Sequence, residues 1–299
     1  MSAELLDGGG LWAWLIGPLV EFGFMRRALV GSLALSLGCA PVGVFLLLRR
    51  MSLTGDAMAH AILPGAAIGY LAAGLSLGAM TLGGIVAGLL VAVGSGLVAR
   101  STVLREDASL AAFYLLSLAL GVLIVSTRGS SVDLLHVLFG SVLALNDAAL
   151  GLLVGIAVAT LLALALLYRP LVLECLDPQF LRSVGRGWSA LAHYGFLVLV
   201  VINLVAGFHA LGTLMAVGIM VLPAATARLW VRRLPALLAL AAALALAACV
   251  AGLLLSYHAD WPTSPSIVVL LGAAYLMSLA LGRYGAWRLG HGPRRHLRG

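Results

Sequence analysis

Apolar runs of about 18–25 residues recur along almost the whole chain, and the short stretches between them hold nearly all of its charge. A helix needs about 20 such residues to cross a bilayer, so the pattern predicts an all-α, polytopic transmembrane helical bundle. The predicted spans are 28–48, 56–77, 82–99, 108–125, 148–168, 191–207, 211–230, 236–256 and 267–281. The runs are continuous and rich in Leu, Ala and Gly, whereas a membrane β-barrel would show short alternating segments. No hydrophilic stretch is long enough to build a soluble domain, so residues 1–299 are expected to form one transmembrane domain. Leu11 to Leu19 is apolar but lacks the basic flank and small-residue cleavage site of a signal peptide. It reads as a membrane-surface helix or the start of the first span.

Every basic residue is Arg, 18 in all, and Lys is absent. Alternating the loops of nine spans puts 15 of the 18 on one side, and the positive-inside rule makes that side cytoplasmic, with the C-terminus on it. Arg26, Arg27 and Arg128 fall opposite. An amphipathic or re-entrant N-terminal segment around Arg26 and Arg27 would reduce the count, so eight to nine spans are expected.

Two regions do not read as spans. Residues 128–146, with His136, are too polar and lie outside in this topology. Residues 169–188 form the longest cytoplasmic connection. There Leu173, Leu176, Phe180, Leu181 and Val184 follow approximate helical spacing across Pro178, among Glu174, Asp177 and Arg182. Such a short amphipathic helix docks on a partner or lies on the lipid surface.

Composition agrees: 63% of residues are hydrophobic and 10% charged, with a mean hydropathy of +1.12. The net charge of +7 points to membrane orientation, not to nucleic acid, because the charges punctuate the ends of apolar runs. Cys39, Cys175 and Cys249 are far apart and form no CxxC pair, so they are expected to pack as small residues without a disulfide. Small-residue pairs such as Gly84-x-x-x-Gly88 allow close helix approach.

Within the second span, Asp56 and His60 stand four residues apart, which puts both on one helical face. An ionisable group in the membrane costs about 2.5–3.5 kcal/mol on insertion scales, so it normally faces a cavity, a partner or a passing ion. A carboxylate and an imidazole are half of a first-row transition-metal site. The pattern alone leaves two other settings open. Asp56 stands near enough to Arg50 to pair with a basic loop, and a buried His60 would bond a backbone carbonyl. His136, His209 and His258 are predicted near the outer surface, as ordinary interfacial histidines or as groups that meet arriving metal or a delivery protein.

Several stretches together carry a resemblance: 44–65 (VFLLLRRMSLTGDAMAHAILPG), 104–107 (LRED), 132–140 (VDLLHVLFG), 177–180 (DPQF) and 212–227 (GTLMAVGIMVLPAATA). In this order, across nearly the whole chain, they resemble the zinc/manganese/iron ABC transporter permease family, the membrane subunits of bacterial metal importers. The resemblance implies a homodimeric pore in the plasma membrane, a separate cytoplasmic ATP-binding subunit and an extracytoplasmic metal-binding protein. It implies that Asp56 and His60 coordinate metal in the translocation path. It further implies that the segment containing Asp177, Pro178, Phe180 and Gly185 is the coupling helix seated on the ATPase. The metal would be transported substrate and not a bound cofactor, and the subunit would not be an enzyme. Ala59 and Ser264-Pro265 depart from the family's usual Ser and Gly-Pro without touching the presumed ligands.

One helix supplies two ligands where a dehydrated ion takes about four to six, so a two-fold dimer would complete the set with two carboxylates and two imidazoles. No phosphate-binding loop is present, so energy coupling must come from another subunit. The alternatives are a permease for metal chelates of siderophore or cobalamin type and an ion-coupled secondary metal transporter. The latter would distribute acids over repeated halves, and no repeat is visible. An intramembrane zinc protease would want His-Glu-x-x-His, which does not occur.

Overall fold

The computed structural model describes residues 17–74, 76–127 and 145–285. The segment predicted to lie outside at 128–144, with His136, falls outside the described residues, as do 1–16 and the C-terminal 286–299. The described residues form eleven helices: α1 Gly17–Glu21, α2 Gly23–Leu48, α3 Ser52–Ala73, α4 Leu77–Ser101, α5 Glu106–Thr127, α6 Asp147–Leu176, α7 Pro178–Val184, α8 Arg186–Leu211, α9 Thr213–Arg228, α10 Leu234–Ala259 and α11 Thr263–Leu281. Every predicted span has a helix. Among the described residues, seven of them meet the length and apolarity of a membrane span, against the eight to nine expected. The two that fall short have physical reasons. Helix α3 carries Asp56, His60 and Pro64, and α9 has 16 residues, about 24 Å of rise against the roughly 30 Å hydrocarbon core.

Helices α2 and α8 are the buried axis of the protomer, while the other spanning helices leave most of their surface outside. Helix α2 packs against α6, α9 and α10, and α3 packs against α4 and α5. Lipid gives no hydrophobic gain for helix association, so these contacts depend on close van der Waals fit and interhelical hydrogen bonds. A side chain at Gly43 would meet the Met220 backbone carbonyl of α9. Gly65 and Gly83 bring the backbones of α3 and α4 together in the same way. Between α2, α6 and α8, the buried Asn203 amide donates to Thr160 Oγ1 at 2.7 Å and to the Leu199 carbonyl at 2.8 Å.

Boundaries move where charge was read as a helix end. Helix α2 starts at Gly23 and takes Arg26 and Arg27 into its first two turns. Arg27 is explained by an ion pair to Asp147 at the start of α6, 3.3 Å away. Helix α3 starts at Ser52, so Asp56 stands in its second turn. Between α2 and α3 the chain turns in three residues, with Arg50 in the left-handed region at φ 59°. Met51 N–H donates to the Leu46 carbonyl at 2.9 Å and Arg50 N–H to the Leu47 carbonyl at 3.1 Å, the paired bonds of a Schellman motif. Cys39 and Cys249 are buried, and all three cysteines are free thiols.

Candidate functional site

Asp56 and His60 share one face of α3, as their spacing requires, with Oδ1 and Nε2 3.8 Å apart. That is too long for a hydrogen bond, so neither atom is spent on the other. Two donors each about 2.0–2.2 Å from one ion can stand up to roughly 4 Å apart, so one cation fits both. The Asp56 side chain is 64% exposed, so it is not packed inside the chain, while His60, 33% exposed, is half-buried with part of its ring open. Leu53 and Leu71, also on this side of α3, are exposed as well.

The opposite side of α3 is fixed. Ser117 of α5 donates its hydroxyl to the Ala61 carbonyl at 3.0 Å. Gly121 of α5 leaves room for Pro64; a Cβ there would come within 3.2 Å of it. Gly65 rests on Gly83, and Gly69 on Ala79. The His60 ring stacks on Tyr114 of α5, with centroids 6.4 Å apart and planes at 30°. Pro64, inside the helix, has no N–H to give the His60 carbonyl four residues earlier, which leaves that oxygen without its usual helical donor. Small residues behind the helix thus let α4 and α5 approach it closely, while the face carrying Asp56 stays open.

Among the described residues, no group of three His, Cys, Asp or Glu gathers to hold a metal. Among those residues the candidate ligands at this place are Asp56 and His60. His258 lies in the last turn of α10 and is exposed, remote in the chain from that pair. His209 belongs to α8.

The connection at 169–188 differs from its expected form. Helix α6 runs on through Arg169 and Pro170 to Leu176, 30 residues in all. Asp177 then caps a new seven-residue helix: its Oδ1 accepts from the N–H groups of Gln179 at 3.0 Å and Phe180 at 2.9 Å. Pro178 occupies the first turn, where a missing N–H costs nothing. The apolar stripe drawn across Pro178 is therefore divided between two helices. Leu176 and Phe180 are exposed, while Leu181 is buried. Gly185 ends α7, and α8 begins at once.

Glu174, one of the charged residues of this segment, is 6% exposed and stands 3.7 Å from the Arg49 guanidinium, itself 7% exposed. Arg49 Nη2 also donates to His193 Nδ1 at 2.7 Å, and the guanidinium lies over the Phe196 ring, 5.0 Å from its centroid. Ser189 Oγ donates to the other Glu174 oxygen at 3.3 Å. Sequence reasoning missed this cluster, and also Tyr114 and Ser117.

Residues 21–282 match the model of the ABC 3 transport family. The manganese import system permease protein ScaB of Streptococcus parasanguinis is 32% identical over 278 residues, covering 93% of this chain and 94% of that protein. The chelated iron transport system membrane protein YfeD of Yersinia pestis is 31% identical over 265 residues, covering 89% of this chain and 88% of YfeD. Among solved structures, PsaBC from Streptococcus pneumoniae in complex with Fab superposes with a TM-score of 0.81 at 29% identity. That likeness covers 94% of this chain and 99% of the other.

Proposed function

Because the chain belongs to the ABC 3 transport family, we propose that it is the pore-forming permease of an ATP-driven importer for a divalent transition metal, manganese or iron before zinc. The observation that carries this reading is the outward-facing Asp56–His60 pair, 3.8 Å apart on a helix otherwise clamped by its neighbours. A carboxylate turned toward lipid is costly, so this face calls for a partner. A second copy of the chain, related by a two-fold axis, meets the need with the same pair. Two carboxylates and two imidazoles then balance the charge of one divalent cation and replace its lost water. Oxygen and nitrogen donors without thiolate suit an ion that must also leave.

In this reading an extracytoplasmic metal-binding protein delivers the ion, and a cytoplasmic ATPase docks on α7 and moves the protomers between access states. The Arg-rich side, with the C-terminus, faces the cytoplasm. The exposed Leu176 and Phe180 flank Asp177 and offer an apolar knob for a groove on the ATPase. Asp177→Arg removes the cap and reverses the charge beside that knob. Co-purification of the ATPase is expected to fall about tenfold with the permease still folded, since a lost cap costs only about 1 kcal/mol locally. Unchanged co-purification would remove the docking assignment.

The transport reading is tested with vesicles holding the permease and its ATPase. Manganese uptake is expected to require ATP and both subunits. Uptake by the permease alone on a proton gradient would replace this reading with an ion-coupled carrier.

A further inference from the structure

We propose that the buried Arg49–Glu174 pair is the positioning link through which movement of the α7 elbow reaches the cation helix α3. The proposal rests on the docking and cation roles assigned above, and its observations are separate from theirs. Glu174 stands three residues before Asp177, the cap of α7, and Ser189 stands four residues after Gly185, its end. The Ser189–Glu174 hydrogen bond at 3.3 Å therefore closes the elbow across its base, joining the last turn of α6 to the first of α8. Arg49 enters this clasp from a different part of the chain. It holds Glu174 at 3.7 Å, donates to His193 at 2.7 Å and covers the Phe196 ring. Because Arg can only donate, His193 accepts at Nδ1 and carries its proton on Nε2.

Arg49 is also the C-cap of α2. The residue after it is the left-handed Arg50, and α3 begins two residues later. A bulky residue in that conformation persists only where its surroundings over-determine it. The turn is thus a short, stiff lever. One end is held in the elbow by a guanidinium contacting three side chains, and the other opens directly into the helix that carries Asp56. No long loop intervenes to absorb displacement. An Arg in this place does what Lys would not, because Nη2 stands against both the carboxylate and the imidazole while the flat guanidinium covers the Phe196 ring.

The experiment uses the full complex of permease, ATPase and binding protein in vesicles. Glu174→Gln keeps the shape and the acceptor for Ser189 and removes the charge that holds Arg49. Assembly, manganese binding and ATP hydrolysis are expected to persist, while ions moved per ATP fall about tenfold, the size of coupling seen between linked sites. The paired Arg49→Met/Glu174→Leu variant replaces both charges by packing and is expected to show the same uncoupling. A wild-type ion-to-ATP ratio in either variant overturns the proposal. Failure of both to assemble assigns the pair a purely structural role and equally overturns it. Asp56→Asn, run alongside, separates the outcomes. If it is inactive while Glu174→Gln stays coupled, only this link is wrong; if it transports normally, the cation-site reading is wrong.

Discussion

Asp56→Asn and His60→Ala are each expected to reduce metal uptake at least about a hundredfold without loss of folded protein. Changing a residue that merely orients a metal ligand typically costs 10–100-fold, so removing a ligand costs no less. In the proposed two-fold dimer each substitution would delete two donors from the four-donor set, which multiplies the expected effect. Stability should move the other way. Asp56 is 64% exposed and supports no core packing, and replacing its carboxylate removes a charge that costs about 2.5–3.5 kcal/mol within a membrane. The expected signature is an apparent melting temperature equal to or above that of the native chain, with uptake lost. Both variants transporting at the native rate would place the ion elsewhere.

The second large effect is on the protomer itself. In Gly83→Leu the new Cβ is driven into the Gly65 carbonyl, a backbone atom that cannot rotate away. Overpacking a tight site costs about 1–3 kcal/mol even where side chains can yield, so this change belongs at or beyond the upper end. The variant is expected to aggregate on size-exclusion chromatography. Gly151→Ala is the control, since a Cβ there meets nothing within 4 Å and Ala is the better helix former. A monodisperse Gly83→Leu protein with native uptake would show that the α3–α4 contact is not needed to present Asp56 and His60.

The helices were legible because uninterrupted apolar runs have few other solutions, and the Asp56–His60 pair because i,i+4 spacing shares a face whatever surrounds it. Boundaries were less so. Asp56 resembled a helix start because charge usually marks the membrane surface, yet α3 begins four residues earlier and carries the carboxylate on its open side. Residues 169–176 resembled a loop for the same reason, with Arg169 and Pro170 in sequence, but α6 continues through both. The Glu174 contact was not legible at all. Its partner is 125 positions away, and nothing local separates a buried glutamate from a solvated one. Tyr114 behind His60 was hidden likewise, as one aromatic residue among many apolar ones.

The length of α6 has a consequence for how a second subunit approaches. Thirty residues rise about 45 Å, and the hydrocarbon layer is about 30 Å deep, so α6 is long enough to extend beyond the hydrocarbon into the headgroup region. Asp177, the cap of α7, and Phe180 within α7 follow directly on its last residue, Leu176. In the docking reading proposed above, a cytoplasmic subunit would then meet α7 at the level of the headgroups.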